Sequence, residues 1–274
     1  MLPAELLLAA ADGLLAALGF LAGAALFSFM NVVAWRLPRG LSPLHGRSVC
    51  PQCGATLQAP DLVPVFSWLC LRGRCRHCGA RIPARYLLVE LLGGVLALCC
   101  KHRLGSAVAL TEGFFGLSWA ALLGLAVCGI LLAVALIDAE TQIIPDRLNV
   151  ALAVCGLLSF AFAPGTLPQT LIDRLIGALC IAGPMLALCF VIPGAFGGGD
   201  IKLMAAAGLL LGWRCTLVAA FLAILGGGAW GAWLLARRKA DRKDHFAFGP
   251  FLCAGIVLSM LWGEALLTWY LQFF

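Results

Sequence analysis

Charge is scarce in this sequence. Asp, Glu, Lys and Arg make up 12% of its 274 residues, against about 25% in a soluble globular domain. That scarcity excludes an ordinary soluble domain. Strict alternation of polar and apolar residues is also lacking, which excludes a membrane β-barrel. No HExxH, GxSxG or Cys–His nucleophile arrangement occurs, and no GxxxxGK[ST] follows the glycine run at Gly197-Gly198-Gly199. Metalloprotease, nucleophile-elbow and phosphate-loop chemistries are therefore set aside. No small-residue cleavage site precedes Asn31, so the first apolar run reads as a retained helix.

What the chain has instead is apolar length. Hydrophobic residues make up 62%, in continuous runs rich in Leu, Ala and Gly. Backbone groups in lipid need internal partners, so continuous runs of this kind fold as helices. The expected architecture is an all-α polytopic membrane protein with about eight transmembrane helices. They lie near residues 6–34, 84–100, 113–137, 148–163, 172–193, 200–212, 216–236 and 248–272, the second, fourth and sixth being short. Basic residues set the orientation. Residues 36–86 hold eight Arg against one acid, Asp61, and residues 237–243 hold five Arg or Lys. Both stretches then face the cytoplasm by the positive-inside rule. Lys101 and Arg103 fall outside, a mild violation. The net charge of +6 is explained by topology and anionic headgroups, without nucleic acid.

Residues 36–86 form the one sizeable polar segment. Cys50-Pro51-Gln52-Cys53 and Cys75-Arg76-His77-Cys78 stand 21 residues apart in it. Two such knuckles place four thiolates around Zn²⁺, and a loop of this size needs a staple. Disulfides are the competing reading, but they are rare in the cytoplasm. Four Cys ligands leave no open position, so the zinc reads as structural. Cys70 and His77 stay outside the metal set. The other eight cysteines lie in apolar helices, as small hydrophobes.

Asp138 and Asp200 carry the chemistry. Each stands where an apolar run meets a short polar interruption, and a carboxylate at membrane depth is a functional group by default. Asp138 lies closer to its apolar run than Glu140 or Asp146 does. Asp146 follows Pro145, where a new helix begins beside Arg147. Asp200 follows the glycines, where backbone can approach a substrate; its bland role is a helix cap, with Lys202 neutralising it or snorkelling. Two close carboxylates share one proton and so supply a base and an acid together. The alternating topology puts both at cytoplasmic helix ends. Glu90, Glu112 and Glu264 read as interhelix hydrogen-bonding groups, and Asp173 with Arg174 as an external helix start. The competing function is a transporter using Asp138 and Asp200 for proton or cation coupling.

These residues resemble a family, the type IV prepilin peptidases, over nearly the whole chain. Gly197-Gly198-Gly199-Asp200-Ile201-Lys202-Leu203 is similar to their GxGDxKL motif, and Asp138 with Ile144-Pro145-Asp146 to their first aspartate motif. Phe29 to Pro38, the paired CxxC with Ser67-Trp68-Leu69 and Leu71 to Cys75, Arg85-Tyr86, Glu90-Leu91-Leu92 and Phe248-Gly249-Pro250-Phe251 also match. Leu87 departs, standing where many members have Pro. The resemblance implies a bifunctional enzyme of the bacterial inner membrane, serving type IV pili or type II secretion. It would cleave prepilins and pseudopilins after a Gly that precedes Phe, at the cytoplasmic face. It would then methylate the new amino terminus with S-adenosylmethionine. Asp138 and Asp200 would be catalytic, and Cys50, Cys53, Cys75 and Cys78 the zinc ligands of the part linked to methyl transfer. No motif fixes the methyl-donor pocket; Glu90, Arg72 and Arg74 stand as bare candidates. The expected division is a first helix over 1–35, a zinc domain over 36–86 and the peptidase helices over 87–274.

Overall fold

Leu- and Ala-rich runs wind into helices, and Pro or Gly sets most of the breaks. The computed structural model describes residues 4–105, 117–162, 166–194, 196–236 and 247–273. The basic run 237–243, Glu112 and His245 lie outside the described residues. The chain divides into two compact units, Met1–Gly129 and Ile130–Phe274. Among the described residues there is no strand; two isolated bridges, Val49 with Thr56 and Arg74 with Arg81, are the β pairings.

In the first unit, α1 (Ala4–Arg36) packs on α3 (Ala84–Leu104), with the five-residue α2 (Phe66–Cys70) in the loop between them. Small residues let the two long helices touch. Gly23 lies on the Gly93 backbone, and the Phe27 ring covers Gly93. Membrane helices associate through such close packing, since lipid offers no hydrophobic drive between them. The exit from α1 is organised by Arg36. Its guanidinium donates to the carbonyls of Ser42, His45 and Arg47 at 3.2, 2.7 and 3.1 Å.

The second unit contains the end of α4 (Trp119–Thr141), then α5 (Asp146–Leu158), α6 (Leu167–Cys180), α7 (Ala182–Val191), α8 (Gly198–Leu211), α9 (Trp213–Ala236) and α10 (Gly249–Leu271). Pro145 precedes α5, and its steric demand on Ile144 closes off α4. Pro184 explains the break at Ile181: its ring clashes with the carbonyl four residues back, in Cys180. Helix α6 begins at Leu167, so Asp173 and Arg174 lie in its second turn and not at its start. Helix α8 packs on both α5 and α6, and α9 on α10. Gly177 and Gly208 bring the α6 and α8 backbones together.

Among the described residues, five helical stretches are long and apolar enough to cross a membrane: α1, α4, the joined α6–α7, α9 and α10. This is a multi-pass membrane protein. Helix α3 carries Arg85, Glu90, Lys101 and Arg103, while α5 and α8 are 13 and 14 residues long; these three fall short on charge or length.

Candidate active site and metal centre

The loop of the first unit is built from two matching halves. Each has the order Cys-x-x-Cys-Gly-Ala. In the first, Cys50 N–H donates to Ala55 O at 2.9 Å and Gly54 N–H to Cys50 O at 2.9 Å. In the second, Cys75 N–H donates to Ala80 O at 2.8 Å and Gly79 N–H to Cys75 O at 3.0 Å. Gly54 and Gly79 take φ of 69° and 70°, left-handed values that side chains disfavour. The turns aim amides at sulfur. The N–H groups of Cys53 and then Gln52 bring the Cys50 thiol down to about 6; those of Cys78 and then His77 lower Cys75 likewise.

The four sulfurs of Cys50, Cys53, Cys75 and Cys78 lie within 4.8 Å of one another, with Cys50 and Cys78 at 3.9 Å. Tetrahedral thiolates at a Zn–S distance of about 2.3 Å are separated by about 3.8 Å. The cluster therefore fits a metal ion. Cys70 and His77 are exposed and outside it. Around the cluster, Arg76 pairs with Asp61 at 2.7 Å. The Trp68 ring packs on Gly73 while its indole N–H donates to Ile82 O at 3.3 Å. Beneath the loop, Glu90 accepts bonds from Ser28 of α1 and from Val65.

In the second unit, Asp138 sits one turn from the end of α4 and is 6% exposed. Its Oδ2 accepts the Gly249 N–H at 2.9 Å. Gly249 is the first residue of α10, so the carboxylate lies at a helix end whose free amides favour negative charge. A Cβ at Gly249 would fall 2.5 Å from that oxygen. Asp200 is the third residue of α8, after Gly197, the cap of that helix. It feels the Asp138 charge, and the buried Cys253 thiol of α10 feels both. The two aspartates thus stand in one neighbourhood, within range of each other's charge. The Asp200 Oδ1 atom is buried without a partner.

Neighbours from α5 and the link just before it frame Asp200. Ile144 packs against Gly199, where a Cβ would fall 2.8 Å from its own. Asn149 is 5% exposed; its Nδ2 reaches Gly199 O at 3.4 Å and its Oδ1 is buried unpartnered. Lys202 pairs with Asp146 at 2.8 Å, both exposed, which places its charge on Asp146 and not on Asp200. Glu140 is exposed. Sequence reasoning gave Asn149 no part and treated Gly249 only as a matching stretch. An amide in an apolar helix was the available signal for the first, and a Gly-Pro pair opening α10 for the second.

Fold and sites together define a polytopic membrane protein with two buried or half-buried aspartates near helix ends and a four-cysteine module. Residues 21–104 match the Bacterial Peptidase A24 N-terminal domain, and residues 125–232 match the Type IV leader peptidase family. A prepilin leader peptidase/N-methyltransferase of Burkholderia pseudomallei (strain K96243) is 35% identical, over 92% of this chain and 86% of its own. Proteins of that name from Aeromonas salmonicida (strain A449) and Bacillus subtilis (strain 168) are 33% and 30% identical. They cover 82% and 92% of this chain, and 75% and 96% of their own. No solved structure matches. The chain belongs to the type IV leader peptidase family.

Proposed function

We propose that this chain is a prepilin peptidase with N-methyltransferase activity, and that Asp138 and Asp200 are its catalytic pair. The observation that supports the reading is that Asp138 of α4 accepts the first amide of α10 while Asp200, at the start of α8, lies within range of its charge. One carboxylate acts as base and takes a proton from water. The water oxygen attacks the scissile carbonyl carbon, polarised by the proton held between the pair. The C–N bond then breaks, and the leaving amine takes up a proton. The glycines at 197–199 leave room for substrate backbone. The substrates are prepilins and pseudopilins, cut after Gly and before Phe, as the relatives' names and the family resemblance suggest.

The new terminal amine, usually that of Phe, is then methylated, with S-adenosylmethionine as the activated methyl source. We assign this step to the four-cysteine module. Cys50, Cys53, Cys75 and Cys78 would hold Zn²⁺ as a structural tie, since four thiolates complete a tetrahedron. The domain division is a helix over 1–35, the zinc domain over 36–86 and the peptidase helices over 87–274. The topology is eight spans in the bacterial inner membrane, with α3, α5 and α8 added to the five long stretches. Both aspartates then face the cytoplasm.

The test is a coupled assay on a purified prepilin in detergent. Asp138→Ala and Asp200→Ala each abolish cleavage while both variants keep their zinc and their thermal midpoint. Cleavage surviving in either single variant overturns the two-aspartate reading.

A further inference from the structure

Glu90 is a buried carboxylate that peptide cleavage does not use. It lies 8% exposed in the second turn of α3, and a buried carboxylate is costly unless its oxygens find partners. Both of its oxygens are engaged. Oε1 accepts the Ser28 hydroxyl of α1 at 2.7 Å, and Oε2 accepts the Val65 N–H at 2.7 Å. One side chain therefore joins two helices to the cysteine loop.

The Val65 end of this tie is strained. Val65 has φ 66° and ψ −54°, and Phe66 N–H closes on Pro64 O at 2.7 Å. This is the rarer, strained hand of γ-turn. A β-branched residue stays at such angles only where its surroundings impose them. The bond to Glu90 turns the Val65 amide inward and fixes the start of α2. From α2 the constraint passes directly to the second knuckle. Trp68 packs on Gly73, two residues before Cys75, and its indole N–H holds Ile82 O beyond Cys78.

We infer that Glu90 is the positioning residue that seats the four-cysteine module on the α1–α3 pair, and that methyl transfer depends on it while peptide cleavage does not. This rests on the assignment of methyl transfer to that module. Glu90 acts by accepting two hydrogen bonds, not through its charge. Gln can do the same: its oxygen accepts from Val65 N–H, and its amide donates to Ser28 Oγ, which both donates and accepts. Leu has similar bulk but leaves both groups without partners in an apolar setting.

The experiment uses the full chain with a prepilin and S-adenosylmethionine, and scores cleavage and methylation separately. Glu90→Leu lowers methylation by more than about tenfold, as a misplaced reacting group does, while cleavage stays within about twofold. Glu90→Gln restores methylation. A readout independent of activity is tryptic cutting at the loop arginines, which speeds up in Glu90→Leu and not in Glu90→Gln. Three results overturn the inference: methylation surviving in Glu90→Leu, cleavage lost with it, or Glu90→Gln as inactive as Glu90→Leu. Failure of the parent reading looks different: wild-type protein that cleaves without ever methylating, whatever stands at position 90.

Discussion

The Gly249 amide donates to Asp138 Oδ2 across 111 positions of sequence. The bond sets the start of α10 against the end of α4. Gly249→Ala adds a methyl that lands on the carboxylate, 2.5 Å from Oδ2. Alanine suits a helix better than glycine, so the expected loss is in chemistry. Cleavage falls by about a hundredfold, in line with a displaced catalytic group, while the melting temperature changes little. Steady-state cleavage with a parallel thermal scan checks this.

Asn149 holds the carbonyl of Gly199, the residue before Asp200. Asn149→Leu keeps the bulk and removes that donor. The expected result is a fall of about tenfold in kcat with KM nearly unchanged, because an interaction that aligns a reacting group acts on the transition state. Equal loss in KM would make Asn149 a substrate-binding residue instead.

Metal content tests the cysteine cluster. The expected content of purified protein is about one zinc per chain. Cys53→Ser or Cys78→Ser lowers that content, and methylation falls with it. Elemental analysis of each variant alongside the methylation assay decides the point. Unchanged zinc in both variants would remove these residues from the ligand set.

Asp61 gives the loop an acid dependence. The Arg76 guanidinium and the Gln58 N–H hold its carboxyl below the usual range. A carboxyl lowered on folding contributes stability above its unfolded value, about pH 3.9, and that contribution is lost as pH falls through the lowered value. Asp61→Asn therefore speeds hydrogen exchange around residues 58–76 at pH 7. The difference from wild type shrinks as the pH drops well below about 4. The exposed Arg76 partner keeps the effect small. A difference that grows on acidification contradicts the assignment.

The parts legible in the sequence were those written locally. Pro145 marks the break after Asp138, and paired Cys-x-x-Cys-Gly knuckles mark the cluster, because short-range sterics decide both. The α6–α7 break was hidden inside one apolar run, although Pro184 lies in it. Partners distant in sequence were not legible. Lys202 stands two residues from Asp200, yet it reaches Asp146 on α5, since the parallel packing of α5 and α8 decides its reach. Glu90 read as a generic interhelix group. Its hold on Val65 exists only because the loop folds back onto α3.

Helix α8 has 14 residues, about 21 Å at 1.5 Å per residue, against a hydrocarbon layer of about 30 Å. On the eight-span topology proposed above, that leaves a hydrophobic mismatch of about 9 Å beside Asp200. The bilayer thins there or headgroups dip inward, and either brings water to the α8 N-terminus. The acyl chain length of the host membrane then becomes a variable of the reaction. Cleavage in reconstituted vesicles runs faster in short-chain lipid than in long-chain lipid of the same headgroup.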